Sequence, residues 1–170
     1  MRIRSSKVVV FLLTFFILLL QVFTSSFALA DNKVPFTIFH TNDMHGRLGY
    51  EEYKGKPTSF GSAREKALID KEKKENPDRT VIALDAGDAF QGLPASNQSK
   101  GQDMAKAMNE IGYKAMAAGN HEFDFGLDTV EKYKNNTQNG GWLNFPILST
   151  NVYKDGKRLF EPSTIINENG

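Results

Sequence analysis

The chain has 170 residues, no cysteine, and 21 Lys and Arg against 20 Asp and Glu. Without cysteine there is no disulfide scaffold and no thiolate-bound zinc or iron–sulfur centre. The balanced charge gives no support to binding of a nucleic-acid polymer led by positive charge, and a composition near the average excludes wholesale disorder.

The first thirty residues stand apart from the rest. Arg2, Arg4 and Lys7 precede the apolar run Val8 to Leu20, and Ala28-Leu29-Ala30 puts small residues at the two positions a signal peptidase reads. A basic start, an apolar centre and an A-x-A site predict a secretory signal over residues 1–30, cleaved after Ala30. The run is 13 residues long, short of the roughly 20 that cross a bilayer, so an uncleaved anchor is the weaker reading. The product is expected to be exported: secreted, on the cell surface or periplasmic. Three of the basic residues leave with the signal. Residues 31–170 then carry 18 basic and 20 acidic residues, a net −2 over 140 residues.

Pro35 to Thr41 is apolar and β-branched and predicts a strand, ending at the polar Asn42-Asp43-Met44-His45-Gly46. Tyr50 to Ser59 is charged and contains Gly and Pro, and reads as a loop. Phe60, Ala63, Ala67 and Leu68 lie at helical spacing, and a helix with a solvated Lys/Glu face should end before Pro77. Thr80 to Ala86 is an apolar run of strand length, followed by Gly87-Asp88. Met104, Ala105, Met108 and Ile111 share one helical face over Gln102 to Ile111, with Gly112 as a stop.

Lys114 to Ala118 predicts a third strand, followed by Gly119-Asn120-His121. Leu127 to Asn135 predicts a helix, Asn136 to Gly141 a loop, and Phe145 to Ser149 a fourth strand. Asp155-Gly156 within Val152 to Leu159 is a hairpin signal. Pro162 to Asn169 could begin a further strand. Strands alternating with helices indicate an α/β fold.

Each dense group of Asp, Asn and His directly follows an apolar strand. Ligands of α/β sheets bind at the carboxyl ends of strands, so three strand ends can gather Asp43, His45, Asp88, Asn120 and His121. Carboxylate oxygen and imidazole nitrogen suit divalent metals such as Zn, Mn or Fe. A carboxylate can bridge two ions, and two ions roughly 3.5–4 Å apart can hold both oxygens of a phosphoryl displacement. Gly87 and Gly119 permit close backbone approach. Asp85 is expected to order its loop by hydrogen bonds, Glu122 to lie at the surface or behind the ligands, and Asn42 and Asn151 to serve turns. Arg47 is read as lining the cleft, and His40 as structural. Asn97-Gln98-Ser99 and Asn135-Asn136-Thr137 fit the N-glycosylation pattern, which matters only in a eukaryotic host.

Asp43-Met44-His45, Gly87-Asp88-Ala89-Phe90 and Gly119-Asn120-His121-Glu122 resemble the D-x-H, G-D-x-x and G-N-H-[DE] motifs of calcineurin-type metallophosphoesterases. The longer runs FHTNDMHGRL, ALDAGDAFQG and AAGNHEFDFG resemble the bacterial 5′-nucleotidase family more closely, a family that also includes UDP-sugar hydrolases and 2′,3′-cyclic-nucleotide phosphodiesterases. The resemblance covers residues 35–170. It implies a four-layer αββα sandwich, of which this chain holds the first strands and helices. It implies a dinuclear centre of two divalent ions (Zn, Mn or similar) and a nucleotide substrate. Asp43 and His45 would bind the first metal, Asp88 both, and Asn120 the second. His121 would contact the substrate phosphate and assist the leaving oxygen, with Asp124 orienting it.

The family's remaining ligands come from later G-H and G-H-x-[HQ] motifs, whereas His121 is the last histidine here. Residues 31–170 are therefore expected to be the amino-terminal portion of a larger catalytic domain, inactive or nearly so alone. The alternative of another class is a non-catalytic surface protein retaining part of a metal site.

Overall fold

A computed structural model describes residues 10–16, 34–134 and 137–168. The chain divides into two compact units, Met1–Lys33 and Val34–Gly170. Residues 10–16 of the first are helical; the expected cleavage site at Ala30 lies outside the described residues. No helix among the described residues is long and apolar enough to cross a membrane.

The second unit is built on strands β1 (Phe36–Thr41), β4 (Thr80–Asp85), β5 (Tyr113–Ala117) and β6 (Ile147–Leu148), hydrogen-bonded in that order. All three pairings are parallel, so the four carboxyl ends point to one edge. Parallel strands need crossover connections. The first passes through helix α1 (Gly61–Glu75), the second through α2 (Pro94–Gln98) and α3 (Gln102–Ile111), the third through α4 (Leu127–Lys134). Interior β4 is covered on both sides: Thr80, Val81, Ile82, Ala83 and Asp85 are buried. That is why it reads as a continuous apolar run. Edge strand β1 alternates instead, with Phe36, Ile38 and His40 exposed and Thr37, Phe39 and Thr41 half-buried.

Helix α3 buries Met104, Ala105, Met108 and Ile111, the face expected from spacing, and stops at Gly112 in the left-handed region with φ 91°. These side chains join Ile69, Val81, Met116, Val130, Tyr133 and Leu143 in one core. Helix α1 forms where expected but turns the other way. Ser62 and Ile69 face inward, while Phe60 and Leu68 are 57% and 58% exposed. Glu65 fixes this rotation by accepting a hydrogen bond from the Tyr113 hydroxyl of β5.

The segment read as a loop between Tyr50 and Ser59 is a hairpin. Strands β2 (Glu51–Tyr53) and β3 (Lys56–Ser59) pair antiparallel. Lys54 and Gly55 have φ 52° and 73°, both positive as the tightest hairpin turn requires. Pro57 is tolerated because a two-stranded ribbon has only edges. The expected Asp155-Gly156 hairpin forms in the same way between β7 (Tyr153–Lys154) and β8 (Lys157–Arg158). Residues 162–168 form no strand.

Candidate metal centre

The loops after β1, β4 and β5 meet at the carboxyl edge of the sheet. The first two run side by side. The Asp43 amide donates to the Gly87 carbonyl at 3.0 Å, His45 to Asp88 at 3.0 Å, and Gly46 to Ala89 at 2.8 Å. The third loop docks through Asp88, whose Oδ1 accepts the His121 amide at 2.8 Å. This leaves no space at the joints. A Cβ on Gly119 would lie 2.3 Å from Asp88 Oδ1, and one on Gly87 would lie 2.6 Å from the Gly119 nitrogen.

Asp43, His45 and Asp88 hold φ of 52°, 47° and 59°. Left-handed backbone at a non-glycine residue costs on the order of 1 kcal/mol. Its occurrence at three of the expected ligands means that the inter-loop hydrogen bonds hold the residues there against local preference.

His45, Asp88 and His121 converge, with one ligand atom of each within 4.8 Å of the others. The two imidazole rings are 5.1 Å apart, edge to face. Asp43 stands beside the group, its Oδ1 3.8 Å from His45 Nε2. Asn120 precedes His121 and caps the short 3-10 turn His121–Phe123. Each histidine is oriented through Nδ1: His45 by the Gln91 carbonyl at 2.9 Å, His121 by Asp124 Oδ2 at 2.7 Å. This leaves Nε2 of both rings outside those two hydrogen bonds. The Asp124 hydrogen bond also raises the pKa of His121, against partial desolvation. One imidazole, from His45, and two carboxylates, from Asp43 and Asp88, form a donor set that fits a borderline divalent metal, and a hydrogen-bonded Nδ1 such as that of His45 is the usual mark of a metal-ready histidine.

Asp85 orders its loop as expected. It accepts the Gly87 amide at 2.8 Å and the Thr41 hydroxyl at 2.6 Å. Burial pushes its pKa up to about 6 against those two hydrogen bonds. Glu65, on the same chain of hydroxyls through Tyr113 and Thr41, is also raised by burial.

Of the two places expected for Glu122, the surface or behind the ligands, the structure shows the second. The residue is fully buried, and its carboxylate accepts three backbone amides: Asp88 at 2.9 Å, Ala89 at 2.8 Å and Gly119 at 2.7 Å. It ties the second and third loops together behind the ligands. Nothing in local sequence distinguishes it beyond its place in the motif.

Arg47 turns to Glu51 at 3.5 Å and to the Met44 carbonyl. Asn42 donates to Asp43, and Asn151 accepts from Ser149 within its turn. A cavity of about 330 Å³ opens beside Asp43, with Asn42, Arg47 and Phe60 in its wall. A larger one, about 850 Å³, lies by the β7–β8 hairpin and contains no motif residue.

The calcineurin-like phosphoesterase family matches residues 36–169. A 5′-nucleotidase of Vibrio parahaemolyticus is 40% identical over 145 residues, covering 83% of this chain and 24% of the relative. Protein UshA of Escherichia coli is 37% identical over 136 residues, covering 78% and 23%. Among solved structures, the NAD nucleotidase of Haemophilus influenzae superposes with a TM-score of 0.62 at 28% identity, over 78% of this chain and 27% of that one. The calcineurin-like phosphoesterase YfkN of Bacillus subtilis does so with 0.58 at 29% identity, over 78% and 43%. The chain spans about a quarter of the length of the curated relatives it matches.

Proposed function

The chain belongs to the calcineurin-like phosphoesterase family, and on that premise we propose that it carries the first part of the active site of an exported, dinuclear-metal phosphohydrolase acting on nucleotides. The observation that carries this is the convergence of three strand-end motifs, with ligand atoms of His45, Asp88 and His121 within 4.8 Å. Asp43, His45, Asp88 and Asn120 would hold the divalent ions, with Asp88 shared between them. Bound there, such ions supply a hydroxide from water near neutral pH and positive charge for the phosphoryl oxygens.

The chain's own residues do the rest. Gln91 and Asp124 fix the two imidazoles. His121 Nε2, free of any ligand role in this reading, contacts the phosphate and holds a proton for the leaving oxygen. Asp124 accepts the Nδ1 proton in a hydrogen bond, which orients the ring and favours its doubly protonated form. Glu122 and Asp85 hold the loops without touching substrate.

Nucleoside 5′-monophosphates are the substrate class best supported, by the 5′-nucleotidase relatives. Cyclic nucleotides and nucleotide sugars are the alternatives within the family. Residues 1–30 act as the export signal, supported by their basic-then-apolar sequence, and residues 31–170 as the amino-terminal portion of the catalytic domain, supported by the share of the relatives they span. The full-length protein should release inorganic phosphate from a nucleoside 5′-monophosphate, lose this activity to chelator and recover part of it with Mn or Zn. Absence of release from 5′-monophosphates, cyclic nucleotides and UDP-sugars alike would refute the proposal and favour the non-catalytic reading.

A further inference from the structure

We propose that Asn97 is a positioning residue for the metal centre, acting through Gly92 and Gln91 on the tautomer of His45. The inference rests on His45 being a ligand, but its first test needs no metal.

His45 Nδ1 meets the backbone carbonyl of Gln91 at 2.9 Å. A carbonyl only accepts, so this contact requires the proton on Nδ1 and leaves Nε2 with its lone pair free. A free neutral imidazole has no such constraint; the tautomer is chosen by the hydrogen bond the other nitrogen makes. The position of one carbonyl therefore decides whether the ring is ready to ligate.

That carbonyl belongs to a loop held on its amino-terminal side by buried Phe90, whose carbonyl accepts the Ser96 hydroxyl at 2.6 Å; on its carboxyl-terminal side it depends on Gly92. Gly92, the next residue, has φ of 152°, and a Cβ there would lie 2.4 Å from the His45 carbonyl oxygen. The Asn97 side chain grips both polar groups of Gly92. Its Oδ1 accepts the Gly92 amide at 2.9 Å, and its Nδ2 donates to the Gly92 carbonyl at 2.8 Å. Leu93, on the other side, donates its amide to the His45 carbonyl at 2.9 Å. Gln91–Leu93 thus wraps His45 from ring to backbone, and Asn97 closes the wrap. Only an amide side chain offers one acceptor and one donor in this spacing. Aspartate would set a carboxylate oxygen against the Gly92 carbonyl, and alanine would offer nothing. The first residues of α2 supply the frame: Ser96 and Asn97 both donate their amides to the Leu93 carbonyl.

The test uses the full-length protein labelled with ¹⁵N-histidine and stripped of metal, with His45 assigned from the signal missing in His45→Gln. Long-range ¹H–¹⁵N spectra should show wild-type His45 protonated on Nδ1. Asn97→Ala and Asn97→Asp should move it towards the Nε2-protonated form, with His121 unchanged, and should weaken binding of one Mn ion by about 10–100-fold, as loss of such an outer partner does. Wild-type His45 protonated on Nε2 would overturn the proposal whatever the variants do. So would folded variants that keep the Nδ1 tautomer. A correct tautomer response with no Mn bound by the wild type would uphold the coupling of Asn97 to the His45 ring but overturn its role in a metal centre, and with it the metal reading of the site.

Discussion

Glu122→Gln isolates the buried carboxylate that joins two ligand-bearing loops. In the wild type, Oε2 accepts the amides of Asp88 and Gly119 and Oε1 accepts that of Ala89. Glutamine keeps the shape but has one oxygen and one NH₂ group. With its oxygen at the Oε2 position, two bonds survive without their charge and the Ala89 amide faces another donor. An orphaned buried amide costs about 1–3 kcal/mol, and charge-assisted bonds are roughly twice as strong as neutral ones. Relief of the buried charge offsets part of this. The net expected local loss is about 2–4 kcal/mol, or about 30- to 1,000-fold in an opening equilibrium. Hydrogen exchange read by mass spectrometry on peptides spanning 86–92 and 117–123 of the metal-free full-length protein measures it directly. Both peptides should lose protection together. Protection unchanged within about threefold would refute the reasoning, because it would mean that the three amides are held by something other than this carboxylate.

Gly119→Ala places a Cβ 2.3 Å from Asp88 Oδ1, so Asp88 must move; bound metal should fall in the isolated protein, and a normal metal content would show that the loop yields cheaply. Asp85→Asn tests the buried acid. Its folded pKa of about 6 lies above the ordinary 3.8, so its contribution to stability is present below pH 3.8 and lost as pH rises through about 6. The asparagine variant should gain up to roughly 3 kcal/mol relative to wild type between pH 4 and pH 7.5 in paired unfolding curves; parallel curves would contradict the shift. Amino-terminal sequencing of exported material should begin at Asp31, and retention of Met1 would favour an anchor.

The parts of the fold legible in the sequence were those in which burial is uniform or strictly periodic. Interior β4, covered on both faces, leaves an unbroken apolar run, and α3 buries Met104, Ala105, Met108 and Ile111 at regular spacing. The convergence of the three motif loops was legible for a related reason: a parallel sheet sends every strand end to one edge, where polar groups after neighbouring strands can meet.

What escaped depends on contacts distant in sequence. The β2–β3 ribbon is charged on both strands and turns on Lys54-Gly55 instead of the more familiar Asn-Gly. The rotation of α1 follows from a hydroxyl 48 residues away on Tyr113, which no local pattern of Ala and Leu encodes. The sequence left Glu122 between the surface and a place behind the ligands, because charged residues are rarely buried unless paired and its partners are backbone amides, two of them in a loop 33 and 34 residues earlier. Asn97 fits a modification pattern, yet both ends of its amide are engaged by Gly92.

In the proposed function, residues that touch divide the labour: Asp88 would hold metal, whereas His121, whose amide bonds to Asp88, would serve the phosphate. Metal content by mass spectrometry, measured side by side on full-length Asp88→Ala and His121→Asn, tests this division most directly. Asp88→Ala should lose most of its bound metal, and His121→Asn should keep nearly all of it while phosphate release falls steeply. Equal loss of metal in the two variants would contradict it, and would make His121 a ligand alongside His45 and Asp88.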